Sequence, residues 1–228
     1  MGRTLIYIPI IHTDPDLGSL ASDVEERAVR LLGERWGEHK KVVLAYWKEI
    51  AQYFEGRNVE GVKIFQDGLP VGGEAARTMI DELAQTASPN YELLKNLSGR
   101  GARLLKTEDH ALLKKEYQMT KDLVTKRNFL SAILAFLKFE LGKDRLLKAR
   151  DNYIASQINQ ELKEGEAGVC FLGAYHEVLP KLAKDIKVVL FRAPHKVREY
   201  YQVLSSGKTE SVDDLAQSLT KPVRESEP

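Results

Sequence analysis

Short apolar runs alternate with longer segments of helical periodicity along this chain of 228 residues. Five runs have the composition of core strands, namely Leu5 to Ile11, Gly61 to Phe65, Ala102 to Leu105, Gly168 to Leu172 and Lys187 to Phe191. Strands that alternate with helices favour parallel pairing, because each parallel connection has to cross over the sheet. The alternation therefore predicts an α/β fold with a mainly parallel central sheet flanked by helices.

The longest helical segment lies between the third and fourth apolar runs. Apolar residues keep helical spacing from Leu113 to Leu141, and Gly142 then offers a helix stop before a second helix from about Lys143 to Lys163. We therefore expect a helical lobe over residues 107–165, inserted before the last strands. Residues 1–204 are predicted to form one α/β domain, and residues 205–228 a C-terminal tail that is partly disordered.

Two segments leave a choice of local structure. Pro9 interrupts the first run, which favours an edge position or an irregularity, because proline cannot donate to a strand ladder. Val43 to Phe54 keeps helical spacing, although Val42 to Trp47 also has the composition of a strand. A helix is the prediction here, and a strand is the alternative.

Charge and targeting features exclude several classes of protein. Lys and Arg number 34 against 33 Asp and Glu, so no overall field attracts nucleic acid or an anionic membrane. The apolar runs are far too short to cross a bilayer, and the N-terminus lacks a signal-peptide pattern. The single cysteine, Cys170, excludes a disulfide framework. We expect a cytoplasmic protein with no nucleic-acid partner and no membrane span.

Motifs for phosphate, dinucleotide and serine-hydrolase sites do not occur in the sequence. The informative polar residues instead follow predicted strands: His12, Asp67, Glu108 and His176. Ligands bind at the carboxyl ends of parallel strands, because loops and helix N-termini converge there. Imidazole and carboxylate suit zinc, manganese, iron or cobalt, and a centre with an open position could activate water.

The same residues also have a structural interpretation. A histidine after a strand is often a helix cap or a solvated side chain, so these strand ends could be caps alone. His110 is a weaker candidate than His12 or His176, since a helix-surface position explains it. His39 and His195 lie beside lysines in segments that resemble loops, and we assign them no chemistry.

An acidic residue lies on an otherwise apolar helical stripe before the fourth run. Asp151 shares that stripe with Leu147 and Ile154, and Arg150 is its neighbour. A buried carboxylate needs a partner, which could be a helix-to-sheet salt bridge or a group of the functional site. In both cases Asp151 is predicted not to be freely solvated.

The order of these residues resembles the TraB/Tiki superfamily, which includes the erythromycin-esterase-like, ChaN-like and pheromone-shutdown TraB proteins. The run from Arg150 to Ala155, followed after a helix and a strand by Gly173 to His176, is similar to the C-terminal half of that group. The family pairs two Gly-x-x-His motifs with an acidic residue after the second strand and an Arg-Asn or Arg-Asp pair. His12, Asp67, Arg150 and His176 follow that order.

The resemblance implies a metal-dependent hydrolase that acts on a peptide or an ester, and it favours a homodimer. His12, Asp67 and His176 would bind manganese, cobalt or zinc, with Glu108 as a further carboxylate. A bound water would be the nucleophile, and Arg150 would stabilise developing negative charge. Asp151 and Glu108 complete the predicted catalytic set. We expect His176→Ala to abolish metal-dependent activity and to leave the fold largely intact.

Two departures from the family pattern favour an alternative function. Pro9 stands where the first motif has glycine, and Asp67 stands where the family usually has glutamate. The alternative is a non-catalytic binding or regulatory protein with a degenerate site, which takes haem or a peptide without turnover. In either case His12 and His176 should lie close together, and Arg150 or Asp151 should contact their cleft.

Overall fold

Five parallel strands form the centre of the protein in its computed structural model, which describes residues 2–125, 129–206 and 212–222. The strands are β1 (Arg3–Ile10), β2 (Lys63–Gln66), β3 (Arg103–Leu105), β4 (Ala167–Gly173) and β5 (Ile186–Leu190). They lie in the order β3-β2-β4-β1-β5, and each pairing is parallel. The predicted α/β fold with a parallel central sheet is confirmed.

Eight α-helices accompany the sheet in the described ranges. They are α1 (Ala21–Leu32), α2 (Arg35–Tyr53), α3 (Gly73–Leu83), α4 (Pro89–Gly99), α5 (His110–Thr125), α6 (Phe129–Glu161), α7 (Pro194–Ser206) and α8 (Val212–Thr220). Helices α2, α3, α4, α7 and α8 pack in the core on one face of the sheet, and α6 packs on the other. None of these described helices combines the length and the apolar character that a membrane crossing requires.

Strand β1 shows how both faces of the sheet are buried. Ile8 and Ile10 point into the core with α2, whereas Leu5 and Tyr7 point into the core with α6. This alternation follows from the two-residue repeat of a strand. Burial on both faces explains why the strands are almost continuously apolar in sequence.

Pro9 lies in an interior strand, but not opposite a neighbour on both sides. Strand β1 runs between β4 and β5, and its pairing with β5 ends at Tyr7 opposite Leu190. The carbonyl of Tyr7 accepts from Phe191 on that side. Two residues later, the Pro9 carbonyl accepts from the Tyr46 hydroxyl at 2.7 Å. The missing N–H of Pro9 therefore faces the side on which β5 has already ended.

The segment from Val42 to Trp47 is helical, as predicted, and it belongs to α2. Its aromatic residues are buried against the end of β1 rather than placed in a strand. Trp47 donates from Nε1 to the Ile11 carbonyl at 2.8 Å, next to the bond from Tyr46 to Pro9. These two hydrogen bonds hold the chain in place immediately before His12.

The predicted helix stop at Gly142 is wrong, because α6 continues through this residue. A Cβ atom at Gly142 would lie 2.9 Å from Cε of Met119 in α5. Gly142 therefore lies inside a continuous helix next to α5 instead of ending it, and the end of the Met119 side chain occupies the space beside it. Glycine inside a helix costs about 1 kcal/mol relative to alanine.

The C-terminal part contains more helix than the sequence indicates. Helix α7 extends to Ser206, and α8 contributes the buried Leu219 to the core beside α2 and α7. Residues 207–211 and 223–228 lie outside the described ranges, and the disorder expected within residues 205–228 stays a prediction. The division into a domain of residues 1–204 and a tail of residues 205–228 stays a prediction.

His39 is buried within α2 rather than in a loop, and it gives a prediction for acid stability. Its Nδ1 lies 3.0 Å from the Tyr200 hydroxyl, and its ring stacks on Trp36 at 5.1 Å. Burial lowers the pKa of His39 from 6.5 to about 4. The unfolded chain therefore binds a proton more readily, so this contribution to stability is complete above about pH 6.5 and is lost as the pH falls towards 4.

Between pH 7 and pH 4.5, we expect the wild-type protein to lose about 2 kcal/mol more unfolding free energy than His39→Asn. Urea unfolding at both pH values measures the difference. His195→Asn is the matched control, because His195 is exposed near the start of α7. Equal pH dependence of the wild type and His39→Asn would contradict the prediction.

Candidate metal centre

Three neighbouring strands deliver the predicted ligands to one edge of the sheet. In the order β2-β4-β1, Asp67 directly follows β2, His176 follows β4, and His12 follows β1. All three strands run in the same direction, so their carboxyl ends meet. The structure therefore brings together residues that lie more than 50 positions apart in the sequence.

Both imidazoles approach the same oxygen of Asp67. His12 Nε2 lies 3.5 Å from Asp67 Oδ2, and His176 Nε2 lies 3.4 Å from it. These distances exceed the 2.7–3.2 Å that is usual for a nitrogen–oxygen hydrogen bond. The same oxygen accepts the backbone N–H of Gly173 at 2.9 Å. Asp67 is thus held by the backbone of β4 while two ring nitrogens face it at a greater distance.

Gly173 lies between these three side chains. A Cβ atom added there would lie 3.1 Å from Asp67 Oδ2 and 3.7 Å from His12 Nε2. It would also lie 3.7 Å from Cδ2 of His176. The absence of a side chain at Gly173 therefore leaves space where the candidate ligands converge.

His176 is oriented by an acidic residue of α6. Its Nδ1 lies 2.6 Å from Asp151 Oδ1, and Asp151 Oδ2 accepts the backbone N–H of Glu177 at 3.0 Å. Asp151 is the buried acid on the apolar helical stripe, and the partner that its burial requires is the imidazole of His176. A carboxylate on one ring nitrogen leaves the other free to bind a metal, as is common for histidine ligands.

His12 has an acidic neighbour that the sequence analysis did not single out. Asp16 Oδ2 lies 4.0 Å from His12 Nδ1 and accepts the backbone N–H of Thr13 at 2.7 Å. The Ser88 hydroxyl donates to the other Asp16 oxygen at 2.6 Å. The four-residue spacing from His12 to Asp16 was the available signal. It was not informative alone, because an acid at the start of a helical segment is expected as a cap.

Arg150 is buried among three carboxylates. Its Nη2 lies 2.7 Å from Asp67 Oδ1 and 2.5 Å from Glu108 Oε1. Its Nη1 lies 2.5 Å from Oε1 of Glu116, a residue of α5 that the sequence analysis missed. The guanidinium therefore holds Oδ1 of Asp67, whereas the two histidines face Oδ2 of the same carboxylate.

Glu108 is fully buried behind Asp67. Thr107 Oγ1 accepts the backbone N–H of Gln66, and the N–H of Glu108 donates to the Leu69 carbonyl, so the chain after β3 is fixed against β2. One candidate ligand atom each from Asp67, Glu108 and His176 lies within 4.8 Å of the others. Glu108 is therefore close enough to serve as a further ligand or as a support for Asp67.

The charges of the site depend on one another. Burial raises the pKa of Glu108 to about 7, and the charge of Asp67 adds to the rise against the opposing effect of Arg150. Burial alone would raise the pKa of Asp67, but His176 and Arg150 hold it well below its usual value. Burial would lower the pKa of His176, but Asp67 and Asp151 raise it to about 10.

The buried cluster contains three acids and two bases. Asp67, Glu108 and Asp151 are its carboxyl groups, Arg150 is its permanently charged base, and His176 is its second base. In the metal-free protein the raised pKa of His176 keeps its imidazole protonated at neutral pH, so His176 and Arg150 together balance much of the carboxylate charge. A divalent cation would replace the proton of His176, because histidine binds a metal as the neutral imidazole.

Neither protein-family models, nor curated proteins, nor solved structures provide a match to this chain. Membership of the TraB/Tiki superfamily therefore stays a proposal that rests on the sequence motifs. The chemistry of the centre has to be inferred from its own geometry and charge.

Proposed function

We propose that this protein is a metal-dependent hydrolase of the TraB/Tiki type, acting on a peptide or an ester. The observation that carries the proposal is the placement of His12 Nε2 and His176 Nε2 at 3.5 and 3.4 Å from one Asp67 oxygen. Two ligands of a tetrahedral zinc ion, each bound at 2.0–2.2 Å, lie about 3.3–3.5 Å apart. Each histidine therefore has the spacing from Asp67 that two ligands of one cation have, and the described residues whose candidate ligand atoms all lie within 4.8 Å of one another are Asp67, Glu108 and His176.

Each residue of the centre has a role in this proposal. His12, Asp67 and His176 bind manganese, cobalt or zinc, and three protein ligands leave an open position, as in catalytic metal sites. When bound, the cation supplies Lewis acidity and activates water. Asp151 orients His176, and Arg150 orients Asp67. Their contacts favour positioning roles over direct contact with substrate.

A non-catalytic binding protein is the second candidate. The side chains of His176 and Asp67 are only 4% and 7% exposed, whereas that of His12 is 40% exposed. A substrate would therefore reach the centre from the side of His12. A centre this enclosed would also suit a metal that is held without turnover. Haem has less support as the cofactor, because the surrounding carboxylates suit a hard cation better than a porphyrin iron.

Gly173→Ala tests the metal centre directly. The added methyl group would lie 3.1 Å from Asp67 Oδ2, so we expect zinc affinity to fall about 10–100-fold, the range seen when the support of a metal ligand is disturbed. Calorimetric titration with zinc, manganese and cobalt measures the effect. Gly99→Ala is the matched control, because a Cβ there meets open space. Equal metal affinity in wild type and Gly173→Ala would refute the proposed centre.

The same preparations distinguish the two candidate functions. Metal-loaded wild type should hydrolyse model esters or peptides, and removal of metal by a chelator should abolish turnover. Metal binding that is weakened by Gly173→Ala, but is accompanied by no turnover, would favour the binding protein. Failure of all three metals to bind would refute both the hydrolase and a protein that holds a metal without turnover.

A further inference from the structure

We propose that the cavity beside His12 binds an aromatic or branched aliphatic group of the substrate, next to the bond that reacts. That the bound molecule is a substrate rests on the proposed function. The preference of the cavity for an apolar side group does not, and it can be measured without turnover.

The cavity has a volume of about 200 Å³ and lies between α2, the 3₁₀ segment Asp14–Leu20 and the start of α4. Its apolar walls come from three separate parts of the chain: Pro15, Trp36, Val43, Leu44 and Pro89. An apolar protein cavity of about 150 Å³ is large enough to bind benzene. The space therefore suits one aromatic or branched side group rather than a large cofactor.

The charge of the cavity does not favour an anionic ligand. Lys40 lines the cavity, but its Nζ lies 2.8 Å from Asp14 and also forms an ion pair with Glu25. Two carboxylates thus compensate the lysine charge. The remaining walls favour burial of apolar surface, which is the main source of affinity for such a group.

His12 connects the cavity to the metal centre. It lines the cavity, and its Nε2 faces Asp67 at 3.5 Å. Because His12 is the exposed member of the three ligands, the approach to the centre passes along the same imidazole. A group seated in the cavity would hold the adjacent ester or peptide bond beside His12. We therefore infer a substrate with an apolar group flanking the scissile bond.

Two probes of the same backbone test the preference. N-acetyl-phenylalanine amide should bind at least about tenfold more tightly than N-acetyl-glycine amide, because it buries an aromatic side chain. Chemical shifts of the Val43 and Leu44 amides, followed during titration of the metal-free and the zinc-loaded full-length protein, measure both affinities. Equal affinity of the two probes would overturn the proposal.

Leu44→Asn should abolish most of the tenfold preference by making the cavity wall polar. Leu44 is 55% exposed, so this variant should fold. Leu31→Asn is the matched control, since Leu31 is 70% exposed on α1 and does not line the cavity. An equal loss in both variants would contradict the assignment. A retained preference without hydrolysis would reject the hydrolase and keep the cavity, whereas hydrolysis without preference would reject the cavity alone.

Discussion

Arg150→Met is expected to lower the free energy of unfolding by about 3–5 kcal/mol, because it leaves buried carboxylates without their cation. The Arg150 side chain is 5% exposed, and its partners Asp67 and Glu108 are 7% and 0% exposed. Methionine fills a similar volume, so the decrease in unfolding free energy comes from the lost charge rather than from a new cavity. Urea unfolding of the metal-free protein measures the change.

Two further substitutions make this result specific. Arg150→Lys keeps the charge but not the planar fork that reaches several carboxylates, so an intermediate loss is expected. Arg198→Met removes a part-exposed cation that lies 3.9 Å from the exposed Glu177, and it should cost about 0.5 kcal/mol or less. Similar losses for Arg150→Met and Arg198→Met would show that the buried cluster contributes no special stability.

The strand ends of the candidate site could be predicted from sequence because they depend on local patterns. Apolar runs show where His12, Asp67 and His176 leave the sheet, and the rule for parallel strands places them at one edge. The strand order could not be predicted in this way. The position of β4 between β2 and β1 makes the three residues neighbours, and it depends on how distant segments pack.

The contacts that support the site were harder to predict. Glu116 lies on the helical surface pattern of α5, and only the fold shows that it contacts Arg150. Gly142 is a residue typical of helix ends, yet α6 continues through it, and the Met119 side chain of another helix lies beside it. A local sequence signal cannot show which distant side chain will approach, so tertiary contacts override it.

Burial of His176 changes one expectation from the sequence. A loop histidine without a core role would cost about 1 kcal/mol or less when replaced by alanine. In the structure His176 is 6% exposed and bonded to the buried Asp151. Its removal takes the imidazole from Asp151 Oδ1 and leaves the bond from the Glu177 amide to Oδ2, so a cost of about 1–3 kcal/mol is expected.

His176→Ala is expected to weaken metal binding by more than about 100-fold and to abolish any metal-dependent hydrolysis. The substitution removes one of three predicted ligands, whereas Asp151→Asn removes only the residue that orients it. Loss of such a supporting contact typically weakens metal binding about 10–100-fold. The two variants should therefore differ in zinc affinity, measured by calorimetry, with Asp151→Asn closer to the wild type.

A third variant and a second measurement separate a ligand from a structural histidine. His110 is exposed at the start of α5, so His110→Ala should leave zinc affinity unchanged. Unfolding free energies of the same proteins show how much of each loss of zinc affinity is due to unfolding. The apparent affinity falls only by the factor by which the folded, binding-competent fraction falls. If His176→Ala loses stability but binds zinc as tightly as His110→Ala, then His176 stabilises the end of β4 and is not a metal ligand.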